Sequence, residues 1–217
     1  MDSRFFQEVV INGEHLQIFA SKVVFHHESQ SLIISDLHIG KAAHFRANAI
    51  PIPTIANKEN FWRLVEAIEK VNPRKLIFLG DLSHSKWNTE WDDFKDFLKQ
   101  YDTVEKLLIK GNHDILHSKE YEEAGINVMP FWKTGKVLWT HEPIDSEEFY
   151  VISGHLHPAV RLVGSAKQSL RLPCFCFGER QGYIPAFGQF TGTALYQPKE
   201  GDQIWVIAND SLVKIPT

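Results

Sequence analysis

Long apolar runs are missing from this sequence. Nowhere do about 18 residues pass without polar interruption, so no membrane-spanning helix is expected. The opening stretch, MDSRFFQEVV, lacks the apolar core of a secretion signal. Cysteine is almost absent. Cys174 and Cys176 are the only two, and in LPCFCFG they fall on alternate positions of a strand-like run. That reads as reduced thiols packed as small hydrophobes, not a disulfide or a thiolate metal site, and a cytoplasmic location is the expectation. An excess of positive charge is missing too. With 23 Lys and Arg against 27 Asp and Glu, the formal net charge is −4. The surface as a whole is therefore not built for a polyanion, and any such affinity has to come from a local basic patch or a bound metal. Repeats, low-complexity segments and linkers are also lacking. What remains is an ordinary globular composition, 43% apolar and 23% charged over 217 residues, enough for one domain over 1–217 with a proper core. The unusual abundance is histidine, of which there are eleven.

Residues 5 to about 27 alternate in hydropathy around Asn12-Gly13, the pattern of a hairpin. A series of short apolar strands follows, each ending in polar residues: SLIISDLH, KLIFLGDLSH, KLLIKGNHD, KVLWTHEP and YVISGHLH. Two helical periodicities lie among them. One runs over roughly 58–71, with Asn57 as its expected cap, and the other over roughly 90–101, with Thr89 as its cap. From SLRLPCFCFG onward the chain is rich in strands and poor in helices. Alternating strands and helices followed by strands alone predict an α/β fold, a four-layer α-β-β-α sandwich of two mixed sheets flanked by helices.

Five strand ends carry residues able to bind metal: Asp36 and His38; Asp81 and His84; Asn112, His113 and Asp114; His141; His155 and His157. Loops at the strand ends of an α/β sheet gather on one rim, where ligands bind. A lone histidine is more often structural than ligating, and GNHD by itself is only a turn. The whole ordered set is hard to explain without a metal centre. Carboxylates, imidazoles and one amide oxygen, with no thiolate, suit Mn²⁺ first, with Fe or Zn²⁺ as alternatives. There are donors enough for two ions, with Asp81 the candidate bridge. Two such ions would activate a hydroxide between them and take up phosphoryl charge.

These blocks, Asp-x-His, Gly-Asp, Gly-Asn-His-Asp, His and Gly-His-x-His in this order over residues 35–157, resemble the calcineurin-like metallophosphoesterase superfamily. The resemblance implies that Asp36, His38, Asp81 and His157 hold one metal and that Asp81, Asn112, His141 and His155 hold the other. It implies that His113 contacts the substrate phosphate or protonates the leaving oxygen, and that Asp114 orients His113. SDLHIGKAAHFR, THEP, SGHLHP and the tail PAFGQFTG look like the bacterial ligase-associated DNA-damage-response endonucleases, the PdeM group. That likeness implies DNA as substrate and a functional link to a repair DNA ligase and helicase. Single strands are expected to be cut more readily than duplex, because a flexible backbone can bend down to two ions that a stiff duplex reaches with difficulty. In GDLSHS, His84 stands where SbcD-type nucleases carry a histidine after the bridging aspartate, a detail that points to phosphodiesters.

Lys41 and Arg46, with His44 and Lys86 beside them, are candidate contacts for flanking phosphates, weighed against an ordinary solvated surface. HIGKAAHF lacks the spacing of a P-loop, which argues against an ATPase. Trp91 is expected to pack. Trp87 is expected to pack more readily than to stack on bases. The leading expectation is a metal-dependent DNA endonuclease acting in repair through a hydroxide activated by two metals. The alternative is a small-molecule phosphoesterase (cyclic nucleotide, dinucleotide or monoester) using the same centre. A non-enzymatic scaffold is disfavoured because every expected ligand is present.

Overall fold

The computed structural model describes residues 4–41, 55–84, 87–164, 168–189 and 191–217, with backbone only at 55–58. Its first sheet holds β1 (Phe6–Ile11), β2 (Glu14–Phe19), β3 (Val23–His26), β4 (Ser31–Ile34), β5 (Lys75–Phe78), β6 (Glu105–Ile109) and β7 (Ile126–Met129), in that order across the sheet. The first four form an antiparallel meander. As expected, β1 and β2 turn at Asn12-Gly13, both at positive φ. From β4 to β7 the neighbours are parallel. Parallel neighbours need crossovers. These are supplied by α1 (Ile55–Val71), α2 (Thr89–Lys99) and α3 (Ser118–Glu123).

The second sheet holds β8 (Trp132–Thr134), β9 (Val137–Thr140), β10 (Tyr150–Ser153), β11 (Pro158–Val163), β12 (Ser169–Phe177), β13 (Gln181–Tyr183) and β14 (Ala194–Leu195). The hairpin of β15 (Gln203–Ala208) and β16 (Ser211–Ile215) is added along β12. It is also mixed: β9, β10 and β13 run parallel, whereas β12 is antiparallel to its neighbours.

The central strands of the first sheet are buried on both faces, which is why they read as unbroken apolar runs. Period-two alternation sorts their side chains. Leu32, Ile34, Leu76 and Phe78 face the helices, among Leu64, Ile68, Trp91, Phe94 and Tyr121. Ile33, Ile77 and Leu107 face the second sheet, against Trp139, Ile152, Phe175 and Phe177. Truncating a wholly buried ring such as Phe94 costs about 3–5 kcal/mol. A third, smaller cluster of Val160, Cys174, Cys176, Ile204 and Val206 lies beyond the second sheet and contains strand residues alone. The two cysteine thiols there are unbridged, 3.4 Å apart.

Both expected helix caps shift. α1 begins at Ile55, so Asn57 lies within its first turn. α2 begins at Thr89, and its cap is Asn88, whose side-chain oxygen accepts from the amides of Glu90 (3.0 Å) and Trp91 (3.3 Å). Trp91 is buried, whereas Trp87 is 54% exposed. Among the described residues, no helix is long and apolar enough to cross a membrane.

Candidate metal centre

The C-terminal ends of β4, β5 and β6 in the first sheet, and of β9 and β10 in the second, open onto one rim. The loops after β4 and β5 run side by side. Asp36 N donates to Gly80 O (3.1 Å), His38 N to Asp81 O (2.9 Å) and Ile39 N to Leu82 O (2.8 Å). The tail after β13 braces this pair, with Phe187 N donating to Ser35 O (2.8 Å) and Gly188 N to Asp36 O (3.1 Å). Five expected ligands break their ladders in the same way. Asp36, His38, Asp81, His155 and His157 all have left-handed backbone, at φ 53°, 52°, 48°, 61° and 48°. Such conformations cost non-glycine residues roughly 1–3 kcal/mol each and persist only where the surroundings over-determine them. Asp and His tolerate them better than bulkier residues do.

The side chains converge in two groups, each with its ligand atoms within 4.8 Å of one another: Asp36, His38 and His157, and Asp81, His141 and His155. Asp81 lies between the two. Its Oδ2 is 3.8 Å from His38 Nε2, and its Oδ1 is 3.4 Å from His141 Nε2. Asn112 Oδ1 joins the second group, 3.2 Å from His141 Nε2, and His155 Nδ1 stands 3.1 Å from that same nitrogen. The rings are oriented from behind. His141 Nδ1 faces Leu79 O (3.1 Å) and His157 Nδ1 faces Gly192 O (2.9 Å), which turns each Nε2 toward the carboxylates.

The fit to a divalent ion rests on two buried atoms. Asp36 Oδ1 and His157 Nε2 are buried 3.0 Å apart as an ion pair, and neither makes a hydrogen bond to any other group. Buried polar atoms with so few partners are costly, and a cation between these two would satisfy both.

Electrostatics agrees with the donor set. Burial, and after it Lys41, pushes His38 down to about 2, so its imidazole is neutral and able to ligate. Burial pushes against ionisation of Asp36, but His157 and the Ser35 hydroxyl outweigh it and hold the carboxyl below its usual range. His157 is raised in turn, Asp36 outweighing burial. Burial raises Asp114 to about 6 against the pull of two amides.

Those amides redefine Asp114. Its carboxylate accepts from Ser83 N (2.9 Å) and Gly111 N (2.8 Å), tying the β5 and β6 loops together, and makes no bond to the His113 ring. The turn of Gly111–Asp114 folds this side chain inward onto its own first amide. Any influence on His113 is therefore through the loops. The His113 amide donates to Asp81 Oδ1 (2.9 Å). Its ring stacks on His84 (centroids 5.1 Å apart, 27° between planes), whose Nδ1 is 3.3 Å from His38 Nδ1. Lys41 is half-buried beside Asp36 and Asp81, whose charges act on its ammonium. Arg46, His44 and Lys86 lie outside the described residues.

The sequence reading missed Ser35, whose buried hydroxyl donates to Asp36 Oδ2 and also contacts Leu79 O (3.2 Å). The signal was its place immediately before Asp36. Trp87, expected to pack, is exposed instead, and the sequence reading missed the exposed apolar side chains Met129, Phe131 and Ile144, each 42–44% exposed. Met129, Phe131 and Ile144 line a groove of about 610 Å³ that reaches Asn112 and His141.

Comparison with known proteins fits this geometry. Among curated proteins, none matches the sequence. The fold resembles the crystal structure of the Pseudomonas putida nuclease MPE, with TM-score 0.82 and 26% identity over 97% of this chain and 100% of that one. A looser likeness, TM-score 0.44 and 14% identity over 86% of this chain and 92% of that one, is to Yfce, a phosphoesterase from E. coli. The calcineurin-like phosphoesterase profile matches residues 30–172, the span that holds every expected ligand from Asp36 to His157. The chain belongs to the calcineurin-like phosphoesterase family.

Proposed function

We propose that this metal-dependent phosphoesterase is a phosphodiesterase that cuts DNA internally and prefers single strands, acting in repair alongside a DNA ligase and helicase. The observation that carries the reading is the end-to-end likeness to a nuclease at 26% identity. The rim supports it. The exposed Phe131 ring, in the groove that reaches Asn112 and His141, offers a face on which a base of any sequence can stack. Lys41 offers a cation for a flanking phosphate.

Asp36, His38, Asp81 and His157 would hold one ion, and Asp81, Asn112, His141 and His155 the other, with Mn²⁺ the preferred metal. When bound, two divalent ions supply an activated water and neutralise charge on the phosphoryl group. The chain does the rest. Asp81 belongs to both sets, and the His113 amide fixes its Oδ1. The carbonyls of Leu79 and Gly192 hold the His141 and His157 rings with Nε2 forward. The half-buried His113 imidazole gives a proton to the leaving oxygen, and His84, stacked against it, helps orient a diester.

The test is covalently closed circular single-stranded DNA with Mn²⁺, beside linear duplex of the same sequence, bis-p-nitrophenyl phosphate and a 2′,3′-cyclic nucleotide. Linearisation of the circle by the wild type but not by Asp81→Asn supports the reading. Phe131→Ala should slow cutting of the circle and leave the small diester unaffected. An intact circle with rapid turnover of the cyclic nucleotide refutes it and favours a small-molecule enzyme.

A further inference from the structure

A third set of metal-competent side chains lies at the opposite end of the first sheet. Glu14 opens β2, His26 closes β3, and Glu28 sits in the turn to β4. His26 pairs in register with Ser31 at the start of β4, whereas Asp36 lies past its far end. Five residues of extended chain, roughly 17 Å at about 3.3 Å per residue, separate the two places. The ligand atoms of Glu14, His26 and Glu28 lie within 4.8 Å of one another, the same convergence as in each catalytic group. His26 Nε2 is in contact with Glu14 Oε2 and is 3.4 Å from Glu28 Oε2.

The surroundings orient these groups as the catalytic rim orients its own. His26 is 1% exposed and lies against the edges of Trp132 and Trp139. Its Nδ1 is 2.6 Å from Ser29 Oγ. That hydroxyl gives its own proton to Ser31 Oγ (2.8 Å), which passes its proton on to Ser29 O (3.3 Å). In the tautomer whose Nδ1–H donates to Ser29 Oγ, the Nε2 lone pair faces two carboxylates; in the other, Nδ1 accepts from the Ser29 amide and Nε2–H donates to Glu14. His141 and His157 show the same polarity, Nδ1 bonded behind and Nε2 forward. Glu28 is held by His15, whose ring Nδ1 is 2.6 Å from Oε1 and whose amide reaches Oε1 at 3.1 Å and Oε2 at 3.3 Å. Glu14 is pinned from the second sheet. A Cβ at Gly135, in the turn between β8 and β9, would lie 2.0 Å from its Oε1.

A lone pair and two carboxylates aimed at one point repel unless a cation or a proton sits among them. We propose that Glu14, His26 and Glu28 form a third cation site, structural in role, that takes a divalent transition ion of the Zn²⁺ or Mn²⁺ type. One imidazole and two carboxylates match the donor preferences of these ions and balance their charge. The side toward Glu28, 46% exposed, gives the ion its way in. Because Glu14 belongs to one sheet and is capped by a turn of the other, a bound ion braces the two sheets against each other at the rim away from catalysis. The competing occupant is a proton on Nε2, with the Ser29 amide donating to Nδ1 at 3.2 Å.

The experiment counts ions on the full chain after equilibration with Zn²⁺, and separately with Mn²⁺, by mass spectrometry. Calorimetric titration and thermal melts accompany it. The wild type should carry one ion more per chain than either His26→Gln or Glu28→Gln. Glu28→Gln is the decisive variant, since its half-exposed side chain can change without unfolding the core. It should lose one class of sites in the titration, with at least a tenfold rise in that dissociation constant, and lose part of the melting-temperature gain on adding metal. Its turnover of bis-p-nitrophenyl phosphate should stay within twofold of wild type. Equal ion counts in the wild type and both variants overturn the site. So does a melting temperature that gains no more from Zn²⁺ in the wild type than in Glu28→Gln.

Discussion

Gly80 offers a measurement of how tightly the centre is positioned. It stands at φ +76°, and a Cβ there would meet the His141 ring, 2.0 Å from Nδ1 and 2.2 Å from Cγ. Ordinary contact begins near 3.4 Å, so the ring would have to retreat by roughly 1.4 Å. It has nowhere to go. His141 is 3% exposed, its Nδ1 is held by Leu79 O, and its Nε2 sits among Asn112, Asp81 and His155. A misplacement of about 1 Å at a reacting centre costs on the order of 10²-fold in rate. Gly80→Ala should therefore lose about 10²-fold or more in kcat. A left-handed alanine adds about 1–2 kcal/mol of backbone strain as well, and the control must separate the two effects. Gly125→Ala does so. It has nearly the same φ, +69°, and nothing within 4 Å of its added methyl. It should lose the same few degrees of melting temperature, about 2–4 °C per kcal/mol for a chain of this size, with full activity. The assay is hydrolysis of bis-p-nitrophenyl phosphate at saturating Mn²⁺ beside thermal melts and ion counts. Gly80→Ala with two catalytic ions and a rate within threefold of wild type would refute the reasoning. Equal inactivation by both variants would assign the effect to backbone strain.

Asp81→Asn should lose more catalytic metal than any other single ligand change, because Asp81 faces both groups; undiminished ion content by mass spectrometry would remove it as the shared ligand. His113→Ala should retain its ions and lose about 10²–10⁴-fold in kcat with little change in KM, the range typical of a general acid; an unchanged rate on a diester with an alkoxide leaving group would exclude that role. Lys22 carries left-handed backbone (φ 68°), and burial, then Arg63, pushes its ammonium down to about 8. The folded state thus disfavours its charge below about pH 8, and the penalty fades as pH rises from there toward the unfolded value of 10.5. Lys22→Gly should raise the melting temperature at pH 7 and narrow its advantage by pH 10, as melts at the two pH values will show.

The rim was legible because every ligand follows an apolar run. Leu32–Ile34, Leu76–Leu79 and Leu107–Ile109 read as strands without reference to anything distant, so Asp36, Asp81 and Asn112 could be placed at strand ends in advance. Partners that meet only through the fold were less visible. Asn88 and Thr89 are both good caps, and the choice between them turns on which oxygen reaches the Glu90 and Trp91 amides. The resemblance implies that Asp114 orients His113, but the bonds it makes are to Ser83, thirty-one residues away, and to Gly111. Glu14, His26 and Glu28 carry no motif spacing. They meet because β2 and β3 pair with Leu16 opposite His26, a register that only the folded sheet fixes.

The left-handed backbone of Asp36, His38, Asp81, His155 and His157 has a consequence for how this sequence drifts over generations. At about 1 kcal/mol each, five such residues together cost about 5 kcal/mol, the same order as the whole net stability of a typical domain. Glycine at any of them would relieve its share at once. Selection for chemistry is what keeps carboxylates and imidazoles at these positions. In a lineage released from that selection, glycine at these five sites removes backbone strain, a gain offset at Asp36 and Asp81 by the buried donors their carboxylates now satisfy.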